Sequence, residues 1–314
     1  MLPLFDAAQV RAATPWPALV EALREAFRAG CVLPPRHHHG FDVPGEREAT
    51  LLLMPAWREG GTLGVKVVNI VPGNDARGLP AVSGVYLLFS ATTGQPLALI
   101  EGAELTARRT AAASALAADY LARPDSRRMV MVGTGRLAPE LVAAHAAVRP
   151  IREVTIWGRN QPKAEALAGR LRDELGLNVT ATAELEPAVR AADLVSCGTT
   201  SVEPLVHGAW LAEGAHLDLV GGFTPAMREA DDEAVRRARV WVDTADGGTR
   251  EAGDIVQPLA SGVLARDAIV GDLFGLCRGE VTGRATAGEI TLFKSVGTAL
   301  EDLAAATLVV QQQP

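Results

Sequence analysis

Cysteine, long apolar runs, basic clusters and low-complexity stretches are all scarce in this chain, and each shortage removes a class of protein. Three cysteines, Cys31, Cys197 and Cys277, are scattered over 314 residues without Cys-x-x-Cys spacing. An odd, dispersed set fits neither a disulfide framework nor a zinc knuckle, so they read as buried thiols in a reducing cytoplasm. No apolar run reaches the ~18 residues of a membrane span, and the N-terminus carries Asp6 instead of a basic-then-apolar signal pattern. We therefore expect a cytoplasmic location and no membrane partner. The net charge is −7 with no basic block, which argues against nucleic acid as a partner. What is present is a hydrophobic fraction of 48%, ordinary for a globular protein, and a length sufficient for two domains. Small molecules are the ligands such a composition favours. His37-His38-His39 does not alter this, because consecutive residues on an extended chain face alternate sides and cannot converge on one ion. No metal is expected, and the triplet reads as a loop.

Apolar spacing predicts an amphipathic helix over Trp16 to Ala29, with Leu19, Leu23, Ala26 and Phe27 on one face and Gly30 as its stop. Short strands follow at Thr50 to Met54, Thr62 to Ile70, Val82 to Ser90 and Leu97 to Ile100, separated by turn residues. The Ala-rich stretch Glu104 to Ala122 is a helix that Pro124 ends. Beyond it, strands at Met129, Glu153, Asn178, Leu194, His216 and Val240 alternate with helical stretches, the rhythm of a parallel doubly wound sheet. Gly288 to Val310 reads as one closing helix, expected to return to the first domain. The fold class is thus α/β: a Rossmann-type doubly wound parallel sheet inserted in an α+β domain. The boundaries expected are 1–122 plus 291–314 for the outer domain and 123–290 for the insert.

Strand Met129 to Val132 runs into Gly133-Thr134-Gly135-Arg136-Leu137-Ala138, a Gly-x-Gly-x-x-Ala turn. The first glycine permits the turn, the second admits a pyrophosphate, and the small third residue lets the next helix pack closely. Amides at the helix N-terminus then face the anion. The second strand of the unit ends in Trp157-Gly158-Arg159-Asn160, followed by Lys163, with no Asp or Glu for a ribose diol. Arg159 can lie against a 2′-phosphate and Asn160 can donate to it, so NADP is favoured over NAD.

Several segments together resemble the ornithine cyclodeaminase/mu-crystallin family. They are Pro34-Pro35-Arg36, Leu63 to Asn69, Gly78 to Gly84, Leu105 to Ala112, Glu203-Pro204, Val220-Gly221-Gly222, Glu251-Ala252-Gly253-Asp254 and Glu289 to Gly297. The resemblance implies a homodimer whose outer domain binds substrate and makes the dimer contact. It also implies hydride chemistry at the α-carbon of amino or imino acids, with Arg36, Lys66 and Arg109 holding the substrate carboxylate and Lys66 lying near the reacting atoms. Lys66 supports this independently, since an ammonium inside an apolar strand is costly unless paired, and a bound carboxylate would pair it.

Cyclodeaminases similar to this chain carry Asp after the Val-Gly-Gly turn, whereas this chain has Phe223, which can shape a pocket but cannot move a proton. Ala81 and Leu137 also depart from the family pattern. The reading favoured is therefore reduction of small cyclic imino acids, of the pyrroline- or piperideine-2-carboxylate type, with NADPH. Ornithine cyclodeamination, with Asp218 standing in for the missing acid, and amino-acid dehydrogenation are the alternatives. A third is an NADPH-dependent binding protein without turnover.

Overall fold

The computed structural model describes residues 2–312. In chain order the elements are β1 (Leu4–Phe5), α1 (Ala7–Ala13), α2 (Trp16–Ala29), β2 (His37–Phe41), β3 (Ala49–Trp57), β4 (Thr62–Ile70), β5 (Val82–Ser90), β6 (Pro96–Glu101) and α3 (Gly102–Leu121). There follow β7 (Arg128–Val132), α4 (Leu137–Val148), β8 (Glu153–Trp157), α5 (Gln161–Leu175), β9 (Asn178–Thr182), α6 (Leu185–Ala191), β10 (Leu194–Cys197), β11 (His216–Leu219) and α7 (Asp232–Arg237). The remainder are β12 (Ala238–Val242), α8 (Ala245–Glu251), α9 (Gly253–Ser261), β13 (Ile269–Asp272), α10 (Leu273–Arg278), β14 (Ile290–Lys294) and α11 (Ala299–Gln311). They form two compact units, Met1–Arg109 with Ala299–Pro314 and Thr110–Thr298.

The first unit is a six-stranded sheet in the order β1-β6-β5-β4-β3-β2, antiparallel except where β1 pairs with β6. Helices α2 and α11 pack together, and α11 lies on β3, β4 and β5. Leu19, Leu23 and Phe27, three of the residues expected on the inner face of α2, are fully buried. Such burial contributes about 1.5–3 kcal/mol per large side chain.

The second unit is an eight-stranded, all-parallel sheet in the order β13-β12-β14-β11-β10-β7-β8-β9. Strand order reverses between β7 and β10, the switch point where doubly wound sheets hold ligands at their carboxyl ends. Strands β7, β10 and β11 are almost wholly buried, as parallel strands covered on both faces must be.

Two expectations need correction. Gly288 to Val310 is not one helix: Ile290–Lys294 is β14, inserted between β11 and β12, and only Ala299–Gln311 is helical. Every residue of β14 is buried, Thr291 and Lys294 included, and a five-residue strand buried on both faces shows no alternation that separates it from a helix. Residues 291–298, and likewise 110–122, expected with the outer domain, lie in the unit that holds the parallel sheet. Likewise His37-His38-His39 is no loop but part of β2, an exposed edge strand whose backbone pairs with β3 from His37 opposite Leu53 to Phe41 opposite Ala49. Ladder bonding decides that assignment, and side-chain patterning carries no trace of it. No cluster of metal-ligating side chains occurs among the described residues.

Candidate functional site

The turn after β7 is built as its glycines require. Gly133 has φ +120°, where a side chain is strained, and an added Cβ would lie 2.8 Å from the Gly198 carbonyl oxygen. Its amide donates to the Trp157 carbonyl at 2.8 Å, which ties the turn to the end of β8. Gly135 differs: a Cβ there would meet nothing within 4 Å, yet the residue lines a cleft of about 300 Å³. No protein atom demands glycine at 135, so the small residue leaves room for a ligand.

Gly133, Thr134, Gly135, Arg159, Asn160 and Lys163, all expected at the cofactor, line this cleft together. Asn160 also caps α5, its side-chain oxygen accepting from the Lys163 amide at 3.0 Å, which leaves its NH2 group to face a ligand. Arg136, Leu137 and Ala138 form the entry to α4 and are not part of the cleft wall. Ala138 is fully buried, with its amide bonded to the Gly135 carbonyl at 3.1 Å, the close packing that a small residue there permits. Sequence reasoning missed the opposite wall, Gly198-Thr199-Thr200-Ser201, and the floor residues Trp157 and Gly158. The signal was available: a hydroxyl-rich segment directly after the central strand β10. The lining offers two cations, several backbone amides and hydroxyls, and no carboxylate, a donor set that fits a phosphate-bearing nucleotide.

In the first unit, Lys66 and Arg109 belong to one buried cluster. Lys66 points inward from β4, flanked in the sheet by Met54 and Tyr86, and is 4% exposed. Its Nζ lies 2.7 Å from Asp302 Oδ2. Arg109, from α3, donates through Nε to Asp302 Oδ1 at 3.0 Å and through a terminal nitrogen to Glu301 Oε2 at 2.7 Å. Thus the partner expected from a bound carboxylate is supplied by the chain itself, from the first turn of α11. Burial pulls Lys66 down to about 8, with Asp302 opposing it. For Asp302, burial favours the neutral form, but Arg109 and Lys66 outweigh it and hold the carboxyl below its usual range. An Arg has five N–H donors and an ammonium three, so both cations retain donors beyond these bonds. Arg36 is half-buried and stands immediately before β2, two strands away from β4.

Two residues of the second unit complete the expected set. Phe223 follows Val220-Gly221-Gly222 and is 52% exposed. Asp218 is not available as a substitute acid. It is fully buried, accepting from Ser114 Oγ at 2.9 Å and Ser196 Oγ at 2.6 Å and lying 3.1 Å from His145 Nε2. Burial works against its charge, but His145 and Ser196 prevail and keep it below the usual carboxylate range.

A glycine turn opening onto a carboxylate-free cleft at the switch point of a parallel sheet defines a dinucleotide-binding protein of the doubly wound α/β class. More particularly, the chain belongs to the ornithine cyclodeaminase/mu-crystallin family, whose sequence profile matches residues 7–313. It is 38% identical over 295 residues to a Delta(1)-pyrroline-2-carboxylate reductase of Paracoccus denitrificans, covering 94% of this chain and 92% of that one. The Thermococcus litoralis Delta(1)-pyrroline-2-carboxylate reductase, solved with NADH and L-proline, superposes with a TM-score of 0.92 at 34% identity, covering 99% of this chain and 97% of the other. An archaeal alanine dehydrogenase dimer with bound NAD superposes with a TM-score of 0.90 at 29% identity, over 99% and 95% of the two chains.

Proposed function

We propose that this protein is an NAD(P)-dependent oxidoreductase that reduces small cyclic imino acids of the pyrroline- or piperideine-2-carboxylate type. The observation that carries the reading is the pairing of Lys66 and Arg109 in one buried cluster, beside the likeness to reductases that share this whole fold. A bound dihydronicotinamide supplies hydride to the imine carbon. Lys66 and Arg109 hold the substrate carboxylate with their remaining N–H donors, and Arg36 is the third cation assigned to it. Lys66, charged below about pH 8 beside the Asp302 carboxylate, provides the proton that the ring nitrogen gains as the C=N bond becomes C–N. Phe223 forms part of the substrate pocket wall.

NADPH is the preferred donor in this proposal, because Arg159 and Lys163 border the cleft with no carboxylate to repel a 2′-phosphate. The cofactors named for the solved relatives are NADH and NAD, so the preference is a property of this chain to be tested. Arg159→Ala is expected to raise the NADPH dissociation constant roughly tenfold and leave NADH unchanged. Equal NADPH affinity in the two proteins refutes the preference. We also propose a homodimer in a reducing cytoplasm, which the three free cysteines suit.

The decisive assay follows NADPH absorbance with pyrroline-2-carboxylate and piperideine-2-carboxylate, and separately proline formation from ornithine. Imine-dependent oxidation without ornithine turnover is expected, because Phe223 replaces the acid and Asp218 is sequestered. Ornithine turnover without imine reduction reverses the assignment, and tight nucleotide binding with neither activity makes this a binding protein. The alanine dehydrogenase likeness gives amino-acid oxidation as the second reading, tested with alanine and NAD.

A further inference from the structure

Three of the segments that carry the family likeness meet around one carboxylate that the sequence did not single out. Glu229, in the loop before α7, is fully buried. Its Oε1 accepts from the Thr199 amide at 2.7 Å and the Thr199 hydroxyl at 2.9 Å. Its Oε2 accepts from the Gly221 amide at 2.7 Å and the Gly222 amide at 3.4 Å. A Cβ on Gly221 would overlap the Thr199 backbone, so the two segments touch directly where the carboxylate bridges them. One of these segments is the hydroxyl-rich wall of the cleft, and the other leads into Phe223. Behind Glu229, Asp254 Oδ1 accepts from the Glu229 amide at 2.7 Å and the Ala230 amide at 3.1 Å, while Asp254 Oδ2 lies 3.1 Å from Lys294 Nζ. Glu229 itself does not line the cleft.

We propose that Glu229 is a positioning residue that fastens the Thr199–Ser201 wall of the dinucleotide cleft to the turn carrying Phe223, and that its ionised form is the one that sustains nucleotide affinity. A carboxylate can accept from all four donors, whereas a protonated carboxyl loses acceptor capacity on one oxygen. The charged and titratable groups facing it are Lys294 on β14, Asp254 on α9 and the Cys197 thiol on β10. Burial, opposed by Lys294 and reinforced by Asp254, pushes the Glu229 carboxyl up to about 7. Nucleotide affinity therefore falls as the pH drops through neutrality.

The inference rests on the cleft being a dinucleotide site, and the test separates the two. NADH dissociation constants are measured by fluorescence from about pH 6 to about pH 8; NADH is the probe because a phosphate monoester such as the NADPH 2′-phosphate itself titrates near pH 6. Wild type is expected to weaken roughly tenfold toward the acid end, while Glu229→Gln holds the weak value throughout. A flat wild-type profile, or a Glu229→Gln profile that follows wild type, overturns the role of Glu229. Failure to bind either NADH or NADPH at any pH overturns the cleft assignment instead. Should Glu229→Gln not fold, Glu229→Asp replaces it: weaker binding at pH 8 with a displaced limb supports the proposal, and an unchanged limb refutes it.

Discussion

Lys66 illustrates what a single side chain can and cannot disclose. An ammonium inside the apolar strand β4 signals a buried charge in need of a partner, and the signal is legible because strand alternation puts position 66 inward with Gly64. Its partner was not legible, since Asp302 lies at the far end of the chain and only the packing of α11 brings it to β4. The functional consequence is a titration. Lys66 carries its charge below about pH 8, so kcat/KM for an imine is expected to fall as pH rises through that value. Asp302→Asn removes the nearest support for the charge and is expected to move this limb to lower pH. It also leaves buried cations underpaired, which costs about 3 kcal/mol in thermal or urea unfolding. An unmoved limb in a folded variant would separate Asp302 from Lys66. Lys66→Ala is expected to lower kcat roughly 100-fold or more while NADPH affinity stays within about twofold. A parallel loss of nucleotide binding would place Lys66 elsewhere in the chemistry.

At the scale of elements, local sequence disclosed what local forces decide. Trp16–Ala29 as a helix, and Thr62–Ile70 and Val82–Ser90 as strands, follow from apolar spacing and bounding turn residues. β14 and β2 escaped because their assignment depends on neighbouring strands: one is buried throughout and the other exposed throughout, so neither alternates. The wall after β10 escaped for another reason. Thr199 to Ser201 hold no regular structure, and their place is set by Glu229 thirty residues away in the chain. The β7–α4 turn, in contrast, was legible and yields a contrast between its glycines. Gly135→Val is expected to abolish nucleotide binding with the melting temperature unchanged, because no protein atom lies where its Cβ would go. Gly133→Ala is expected to cost about 1–3 kcal/mol of stability, as its φ of +120° strains any side chain. Differential scanning calorimetry beside nucleotide titration distinguishes the two; equal stability losses would mean that the cleft side of Gly135 is misread.

For the whole molecule, the fold class and the family were legible because many weak motifs occur in order along nearly the entire chain, and the profile spans residues 7–313. The quaternary state is a separate matter. The first unit exposes Phe41 on β2 and Val82 and Val85 on β5, apolar residues that a second copy of the chain would cover. Light scattering is expected to give twice the mass of 32.9 kDa at micromolar concentration. Val85→Lys is expected to shift that toward the monomer; an unchanged mass would assign the interface to another surface.

The division of the chain into two units has a consequence for biosynthesis. Residues 110–298 are contiguous, and a ribosome can release that unit complete. The unit begun first is finished last, because Glu301 and Asp302 emerge only with the final helix. Until then Lys66 on β4 and Arg109 on α3 lack their counter-charges, and burying an uncompensated cation is costly. Closure of the N-terminal sheet around Lys66 is thus expected to follow the synthesis of α11.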